Sequence, residues 1–289
     1  MSQVRIPEHM AEAARAVIEG KVKPATPRDA ATVMLLRPAG ASLPGPSGPS
    51  GPSGFEVYML RRNPSMAFAP GAYVFPGGSV DQRDADEEVA WAGPEVEHWG
   101  QVFDASPELA RALVCAAVRE TFEESGVLLA GPSAGSVVAD TTGDDWEADR
   151  QALLDRSLSL AELLARRNLI LRSDLLRPWS RWITPAPEPR RFDTRFFAAA
   201  LPAGQRTRDV GGEASAVQWI SPAHALDAGR AGQIQLWLPT AMTLAELAEY
   251  PDEAAVLAAR REVRPLLPEI VIAEGATWLK IPGEREYPL

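Results

Sequence analysis

The chain of 289 residues carries 29 lysines and arginines against 39 aspartates and glutamates, which gives a formal net charge of −10, and 46% of its residues are apolar. These values predict one or two globular domains with a sizeable core, and the negative charge argues against a protein that binds nucleic acid or an anionic membrane surface. No apolar run approaches the roughly 20 residues that span a bilayer and the first residues lack a secretory leader, so we expect a cytoplasmic protein.

Two apolar segments near the start of the chain predict a pair of strands. Residues 31–37 (ATVMLLR) and 55–61 (FEVYMLR) are rich in β-branched, aromatic and long apolar side chains, and they are close enough in sequence to pair as a hairpin. Between them, residues 38–54 contain the triplet Gly-Pro-Ser three times, a composition typical of a flexible loop. We expect residues 1–26 to form a helical extension.

A helix at residues 106–125 is the clearest predicted element. Ser106 is a typical N-cap, Pro107 suits the first turn, and Gly126 is a typical C-terminal stop. Before it, residues 73–75 predict a short strand that runs into a glycine turn, and residues 81–97 predict an acidic surface segment. The later predictions are a polar stretch at 141–150, a helix at 160–168, strands at 192–200 and 216–220, and helices at 240–250 and 252–264. Without a second core pattern, these elements predict one α/β domain.

Three glutamates near the end of the 106–125 helix share one face. At 100° per residue, Glu120, Glu123 and Glu124 fall within an arc of roughly 100°. Like charges at these spacings repel by about 0.2 to 0.5 kcal/mol per pair, and the helix dipole adds to this cost, whereas a hard cation among the carboxylates reverses it. Because the chain has one cysteine and three histidines, carboxylates are the expected ligands of any metal. The alternative is a solvated acidic helix end.

The residues around these glutamates form a specific pattern. Residues 119–127 read RETFEESGV, which resembles the second half of the Nudix box, Gly-x5-Glu-x7-Arg-Glu-U-x-Glu-Glu-x-Gly-U, where U is apolar. The upstream residues Gly77 and Gly78 resemble the start of the box. Later residues, WITP at 182–185 and RRFDTRFF at 190–197, extend the likeness. The chain is identified as a member of the Nudix hydrolase superfamily, in a subgroup with a split box that includes a mammalian peroxisomal coenzyme A diphosphatase.

The box departs from the family pattern in its spacing. Arg119 follows Gly78 by 41 positions where the pattern has 14, so we expect an insertion at residues 79–105. Eight residues before Arg119, where the pattern has its first glutamate, this chain has Arg111. Asp84 and Glu108 are the two candidates to replace that glutamate.

The resemblance implies a Nudix fold, in which a mixed β-sheet is sandwiched between helices. We expect this domain at residues 27–230, followed by a C-terminal helical extension at 231–289 that packs on it. The implied reaction is hydrolysis of a diphosphate in a nucleoside diphosphate compound, with Mg²⁺ or Mn²⁺ held by Glu120, Glu123 and Glu124 and by the Gly78 carbonyl. Arg119 can hold a carboxylate in place, and the general base is one of the helix glutamates or Glu213.

Cationic and aromatic residues are the candidates for substrate binding. Phosphate groups need cationic partners and an adenine ring can stack on an aromatic face, although a surface or core role is the alternative for each side chain. The candidates are Arg61, Arg62, Arg190 and Arg191, the aromatic residues Phe75 and Trp182, and the backbone of Gly77 and Gly78.

Several functional alternatives stay open at this point. The first hypothesis for the small-molecule substrate is coenzyme A or acyl-coenzyme A, and the alternatives are ADP-ribose, NADH or a nucleotide sugar. A nucleotide sensor without catalysis is a further alternative. Apolar residues in the last two predicted helices (Leu244, Leu247, Val256 and Leu257) can pack on the domain or on a second subunit, so a homodimer is also open.

Overall fold

The protein is described by a computed structural model that covers residues 3–5, 8–40, 54–65, 69–86, 89–208, 214–273, 276–281 and 287–289. The helices in these ranges are α1 (Glu8–Ile18), α2 (Gln82–Asp86), α3 (Val96–Phe103), α4 (Pro107–Ser125), α5 (Asp144–Leu154), α6 (Leu160–Arg166), α7 (Pro222–Arg230), α8 (Leu238–Ala248) and α9 (Glu253–Ala258). The strands are β1 (Gln3–Arg5), β2 (Arg28–Pro38), β3 (Phe55–Arg62), β4 (Ala72–Val74), β5 (Gly77–Ser79), β6 (Trp91–Ala92), β7 (Ala130–Gly131), β8 (Ile170–Arg172), β9 (Arg177–Ile183), β10 (Phe192–Ala200), β11 (Ala214–Ile220), β12 (Gln235–Leu236), β13 (Pro265–Leu266), β14 (Glu269–Ala273) and β15 (Ala276–Lys280).

A mixed sheet forms the centre of the molecule. In the described chain, nine strands join it in the order β12-β4-β3-β2-β10-β9-β13, with β11 beside β3 and β5 beside β2. The central strands β2 and β10 run parallel, and β2 pairs antiparallel with β3, which confirms the predicted hairpin. Residues 41–53 of the predicted flexible loop lie outside the described residues.

Helices cover both faces of this sheet. Successive side chains of a strand point to opposite faces, so Val33 and Leu35 of β2 pack into a core with α4, whereas Met34 and Leu36 pack into a second core with α8. Burial on both faces explains why the strand reads as a continuous apolar run rather than an alternating one. The predicted α/β architecture, a mixed sheet between helices, is confirmed.

The long helix α4 begins and ends where its capping residues predict. Ser106 Oγ accepts a hydrogen bond from the Leu109 backbone N–H at 3.2 Å, and Gly126 adopts the left-handed conformation with φ of 74°. The helix is buried on most of its circumference, Cys115 included. Its C-terminal end therefore carries charged groups into the interior of the domain.

The segment before α4 is more closely integrated than we expected. Residues 81–97, predicted to be an acidic surface segment, include α2, and Asp84 on that helix is only 4% exposed. The next helix, α3, places Trp99 in the core beside α4. The prediction of a surface segment is therefore wrong for Asp84, whose burial is compensated by the ion pair with Arg119 described below, whereas Gln82, Glu95 and Glu97 are exposed. The polar stretch predicted at 141–150 likewise contains the first half of α5.

The end of the chain contains strands as well as helices. Leu244, Leu247 and Val256 of α8 and α9 are fully buried in the second core, so these helices pack on the domain. After α9, β13 joins the central sheet next to β9, and β14 and β15 form a three-stranded sheet with β1. The expectation of a purely helical extension is therefore wrong for this part. Among the described residues, none of the helices combines the length and apolar character needed to cross a membrane.

Candidate active site

Arg119 is the centre of a polar cluster at the C-terminal end of α4. Its side chain is almost completely buried, and Nη1 lies 2.7 Å from Glu120 Oε1 and 3.2 Å from Glu123 Oε1. Nε and Nη2 donate to the two carboxylate oxygens of Asp84 at 3.0 and 2.9 Å, and Nη2 also donates to the Ser79 carbonyl at 3.1 Å. The planar guanidinium thus orients the glutamates in addition to compensating their charge.

Asp84, rather than Glu108, is the acidic residue that the fold brings to Arg119. Glu108 lies exposed in the first turn of α4. Counting forward from Gly78 leaves five residues before Asp84, which is the Gly-x5-acid spacing of the box, so the insertion follows Asp84. Counting backward from Arg119 meets Arg111, which stacks over the Trp91 ring at 5.6 Å instead. The forward spacing was the signal that identifies Asp84.

The two glycines place the backbone of β5 directly against α4. Gly77 and Gly78 pair with Thr32 and Ala31 of β2, so they form a short strand rather than the predicted turn. Gly77 N–H donates to Glu124 Oε2 at 2.7 Å. A Cβ atom on Gly78 would overlap the Glu120 carboxylate, so any other residue would displace that glutamate. The close backbone approach predicted for these glycines is therefore present.

The charges of this cluster are not balanced. Burial raises the pKa of Glu120 to about 7, against the opposing effect of the Arg119 charge, and burial also raises the pKa of Glu123. Burial acts to lower the pKa of Arg119, but its hydrogen bonds to Asp84 and the nearby glutamate charges raise it overall. One guanidinium faces the carboxylates of Asp84, Glu120 and Glu123, and Glu124 adds a further carboxylate beside them. Excess negative charge on oxygen donors fits a hard divalent cation.

The carboxylate oxygens at the end of α4 are suitable ligands for such a cation, although in this structure they bind other groups of the protein. Glu120 and Glu123 bind Arg119, and Glu124 accepts from Gly77. Within the part of the chain that the structure describes, no three aspartate, glutamate, histidine or cysteine side chains are grouped closely enough to hold a metal ion. A cation would therefore compete with Arg119 and Gly77 for these oxygens.

A cleft of about 970 Å³ opens onto the carboxylates of α4. Near them it is lined by Arg83 of α2, Arg150 of α5 and Arg156. Arg150 is buried, and its Nη1 donates to the Glu123 carbonyl at 2.8 Å, whereas Arg83 Nη1 donates to the Arg156 carbonyl at 2.9 Å. Guanidinium groups are good partners for phosphate oxygens. Sequence reasoning missed these three arginines, because they come from separate segments and no local motif marks them.

The residues predicted to bind substrate divide into two groups. The structure places Arg62, Phe75, Gly77, Gly78, Trp182 and Arg190 on the wall of the cleft. In contrast, Arg61 Nε donates to the Gly71 carbonyl at 3.4 Å, and Arg191 donates to the Thr184 and Ala25 carbonyls at 2.9 Å, so neither lines the cleft. Arg191 instead ties the β9–β10 connection to the segment before β2. Glu213, the candidate base outside α4, lies outside the described residues.

Comparison with known proteins identifies the family. Residues 100–247 match the sequence model of the NUDT19 Nudix domain. The chain belongs to this family. It is 25% identical over 278 residues to the acyl-coenzyme A diphosphatase NUDT19 of Xenopus laevis, covering 81% of this chain and 72% of that protein. It is 30% identical over 251 residues to the NUDT19 protein of Homo sapiens, covering 73% of this chain and 65% of that protein.

A solved structure supports the same assignment. The chain matches a NUDIX hydrolase from Alicyclobacillus acidocaldarius with a TM-score of 0.68 and 27% identity, covering 82% of this chain and 98% of that one. The resemblance noted in the sequence is thereby confirmed, and the protein is a Nudix hydrolase. The matched family range contains all of α4, whereas Gly77, Gly78 and Asp84 precede it.

Proposed function

We propose that this Nudix hydrolase cleaves the diphosphate of coenzyme A or acyl-coenzyme A in the presence of Mg²⁺ or Mn²⁺. The observation that carries the proposal is the cluster of Asp84, Glu120 and Glu123 around Arg119, which lies at one end of a long cleft. The relatives in Xenopus laevis and Homo sapiens are named acyl-coenzyme A diphosphatases, which supports this choice of substrate.

The carboxylates at the end of α4 are the proposed metal ligands. Glu120, Glu123 and Glu124, with the Gly78 carbonyl, would hold the cation, which when bound supplies positive charge next to the diphosphate oxygens and acidifies water there. Arg119 keeps two of these carboxylates oriented through its bonds to Asp84. In phosphoryl transfer a protein accelerates the reaction mainly by positioning the reacting groups and by stabilising charge in the transition state.

Arginines on the wall of the cleft are the proposed partners of the substrate phosphates. Arg83, Arg156, Arg62 and Arg190 line the cleft on different elements, so they can contact the diphosphate and a further phosphate group at the same time. Phe75 and Trp182 line the same space and are the aromatic candidates for contact with the nucleotide or the pantetheine arm. Phe75 is only 2% exposed and Trp182 only 4%, so both belong mainly to the second core.

The general base remains a choice between the helix glutamates and Glu213. A base must lie within hydrogen-bond reach of the attacking water. The glutamates of α4 line the cleft. Because Glu123 is also a proposed metal ligand, Glu213→Gln is the deciding variant: if it retains most of the wild-type kcat, the base belongs to α4. The cytoplasmic location and the homodimer stay predictions from the sequence.

A panel of substrates tests the proposed function. Coenzyme A, acetyl-coenzyme A, ADP-ribose, NADH and a nucleotide sugar are incubated with and without Mg²⁺ or Mn²⁺, and the products are identified by mass. We expect metal-dependent cleavage of the first two. Glu123→Gln should abolish it, and Glu108→Gln, on the exposed first turn of the same helix, should not. If the protein cleaved only one of the other three compounds, that compound would replace coenzyme A as the assigned substrate. If it bound a compound of the panel but cleaved none, it would be a nucleotide sensor.

A further inference from the structure

The cleft extends from the carboxylates across the face of the central sheet. Strands β5, β2, β10 and β9 lie side by side, and Gly78, Thr32, Phe196 and Trp182 line the cleft from these four strands in turn. Because neighbouring strands are about 4.8 Å apart, three steps separate Gly78 from Trp182 by roughly 14 Å. Gly78 and Trp182 are therefore well separated within one elongated site.

The part of the cleft beyond β9 is lined by apolar residues of the C-terminal segment. Strand β13 lies next to β9, with Leu266 beside Trp182, and among the described lining residues the segment after β13 contributes only Pro268, Ile270 and Leu279. Ile270 of β14 and Leu279 of β15 are directly opposite each other in the strand pair, so their side chains share a face. Both are half-buried, and neither belongs to the two core clusters of the described chain. Their apolar surface faces the cleft instead of the core.

We propose that this apolar wall, formed by Ile270 and Leu279, binds the acyl group of an acyl-coenzyme A substrate. The inference rests on the proposed function, which places the diphosphate at the α4 carboxylates. The pantetheine arm between the diphosphate and the sulfur has about twelve chain atoms, the length of about four extended residues, or about 14 Å. It matches the distance from Gly78 to Trp182, so the thioester lies where the apolar wall begins.

The chemistry of the wall favours the acyl group over the nucleotide half of the substrate. The adenosine of coenzyme A carries a charged 3′-phosphate, and Ile270 and Leu279 offer that phosphate no ionic partner to compensate for its lost hydration, whereas Arg62, Arg83 and Arg156 line the cleft on other elements. An aliphatic chain, in contrast, gains free energy by leaving water for an apolar surface. The cleft volume of about 970 Å³ lies at the upper end of the usual range for ligand sites, which suits a large substrate.

A chain-length series on the unmodified protein is the first test. We measure kcat/KM for coenzyme A and for its acetyl, butyryl, hexanoyl and octanoyl thioesters. Each buried methylene should raise kcat/KM by about fourfold, until the chain is longer than the wall. Equal kcat/KM values for coenzyme A and octanoyl-coenzyme A would overturn the inference but leave the proposed diphosphatase activity intact. Failure to cleave any coenzyme A compound would overturn both.

Serine substitutions in the wall are the second test. Ile270→Ser and Leu279→Ser should each lower kcat/KM for octanoyl-coenzyme A by about tenfold and leave the value for free coenzyme A within about twofold. Ile272→Ser is the matched control, because Ile272 lies on the same strand, is 45% exposed and does not line the cleft. An equal loss with both substrates would overturn the inference, since it would show that the wall supports the fold or the nucleotide.

Discussion

Asp84 completes the carboxylate cluster around Arg119, although it lies outside the motif at residues 119–127. Both of its carboxylate oxygens accept hydrogen bonds from Arg119, and Arg119 in turn binds Glu120 and Glu123. Asp84 therefore positions the two glutamates through Arg119. The acidic group is shorter by one methylene than the glutamate of the family pattern, and α2 brings it close enough to make the paired contact.

Substitution of Asp84 tests this positioning role. Asp84→Asn removes the charge that faces Arg119 and turns an amide N–H₂ group toward its donors, so the glutamates lose their fixed orientation. We expect kcat to fall by about a hundredfold with little change in KM, and Asp84→Glu to restore part of the activity. Steady-state kinetics measure both parameters. Glu97→Gln, on the exposed side of α3, is the control. A raised KM at unchanged kcat would instead assign Asp84 to substrate binding.

Residues of the site differ in how far the sequence predicts them. Glu120, Glu123 and Glu124 were predictable, because their spacing on one helix brings them together by local geometry alone. Arg150 was not, because it reaches the Glu123 carbonyl from another helix, 27 positions later in the chain. Arg191 was predicted beside the substrate, but it donates hydrogen bonds to the Thr184 and Ala25 carbonyls. Its position depends on the tertiary structure, which the local sequence does not reveal.

Elements with local signals were predicted best. The strand at 192–200 has the predicted bounds, and α4 follows from Ser106, Pro107 and Gly126. The strands after residue 264 were missed, because β13 has only two residues and depends on β9, and β15 pairs with β1 from the other end of the chain. Such pairings have no signature within a short window of sequence.

The burial of α4 leads to a prediction for the one cysteine of the chain. Burial raises the pKa of Cys115 to about 12, so at pH 8 about one thiol in ten thousand is ionised, and the thiolate is the reactive form. We expect no labelling of the native protein by a thiol reagent at pH 8 within minutes, and complete labelling in denaturant. Mass spectrometry gives the extent. Rapid labelling of the native protein would contradict the close packing of this helix.

The whole molecule brings together a site whose parts are far apart in sequence. One cleft is lined by α2, the end of α4, α5, β9 and the C-terminal strands. The C-terminal segment is fixed to the central sheet by Glu246 of α8, which accepts from Trp179 Nε1 at 2.8 Å and pairs with Arg261 at 2.7 Å. Binding at this cleft should therefore be linked to the stability of the entire fold.

Addition of metal tests this linkage without measuring activity. At a Mg²⁺ concentration a hundred times its Kd, binding to the native state adds about 2.7 kcal/mol to the free energy of unfolding, which raises Tm by roughly 5 to 10 °C. Glu124→Gln should reduce this shift, and Glu108→Gln should retain it. The measurement is thermal unfolding in EDTA and in increasing Mg²⁺. An identical Tm under all these conditions would argue against a cation site at the end of α4.

The most direct test of the proposed function is to identify the products formed from acetyl-coenzyme A with Mg²⁺. Cleavage of the diphosphate predicts equal amounts of adenosine 3′,5′-bisphosphate and acetyl-phosphopantetheine by mass spectrometry, and loss of both with Glu123→Gln. Free coenzyme A with acetate would show cleavage of the thioester instead, and unchanged substrate would show no hydrolysis. Either of these results would contradict the assignment of the α4 carboxylates to coenzyme A diphosphate hydrolysis.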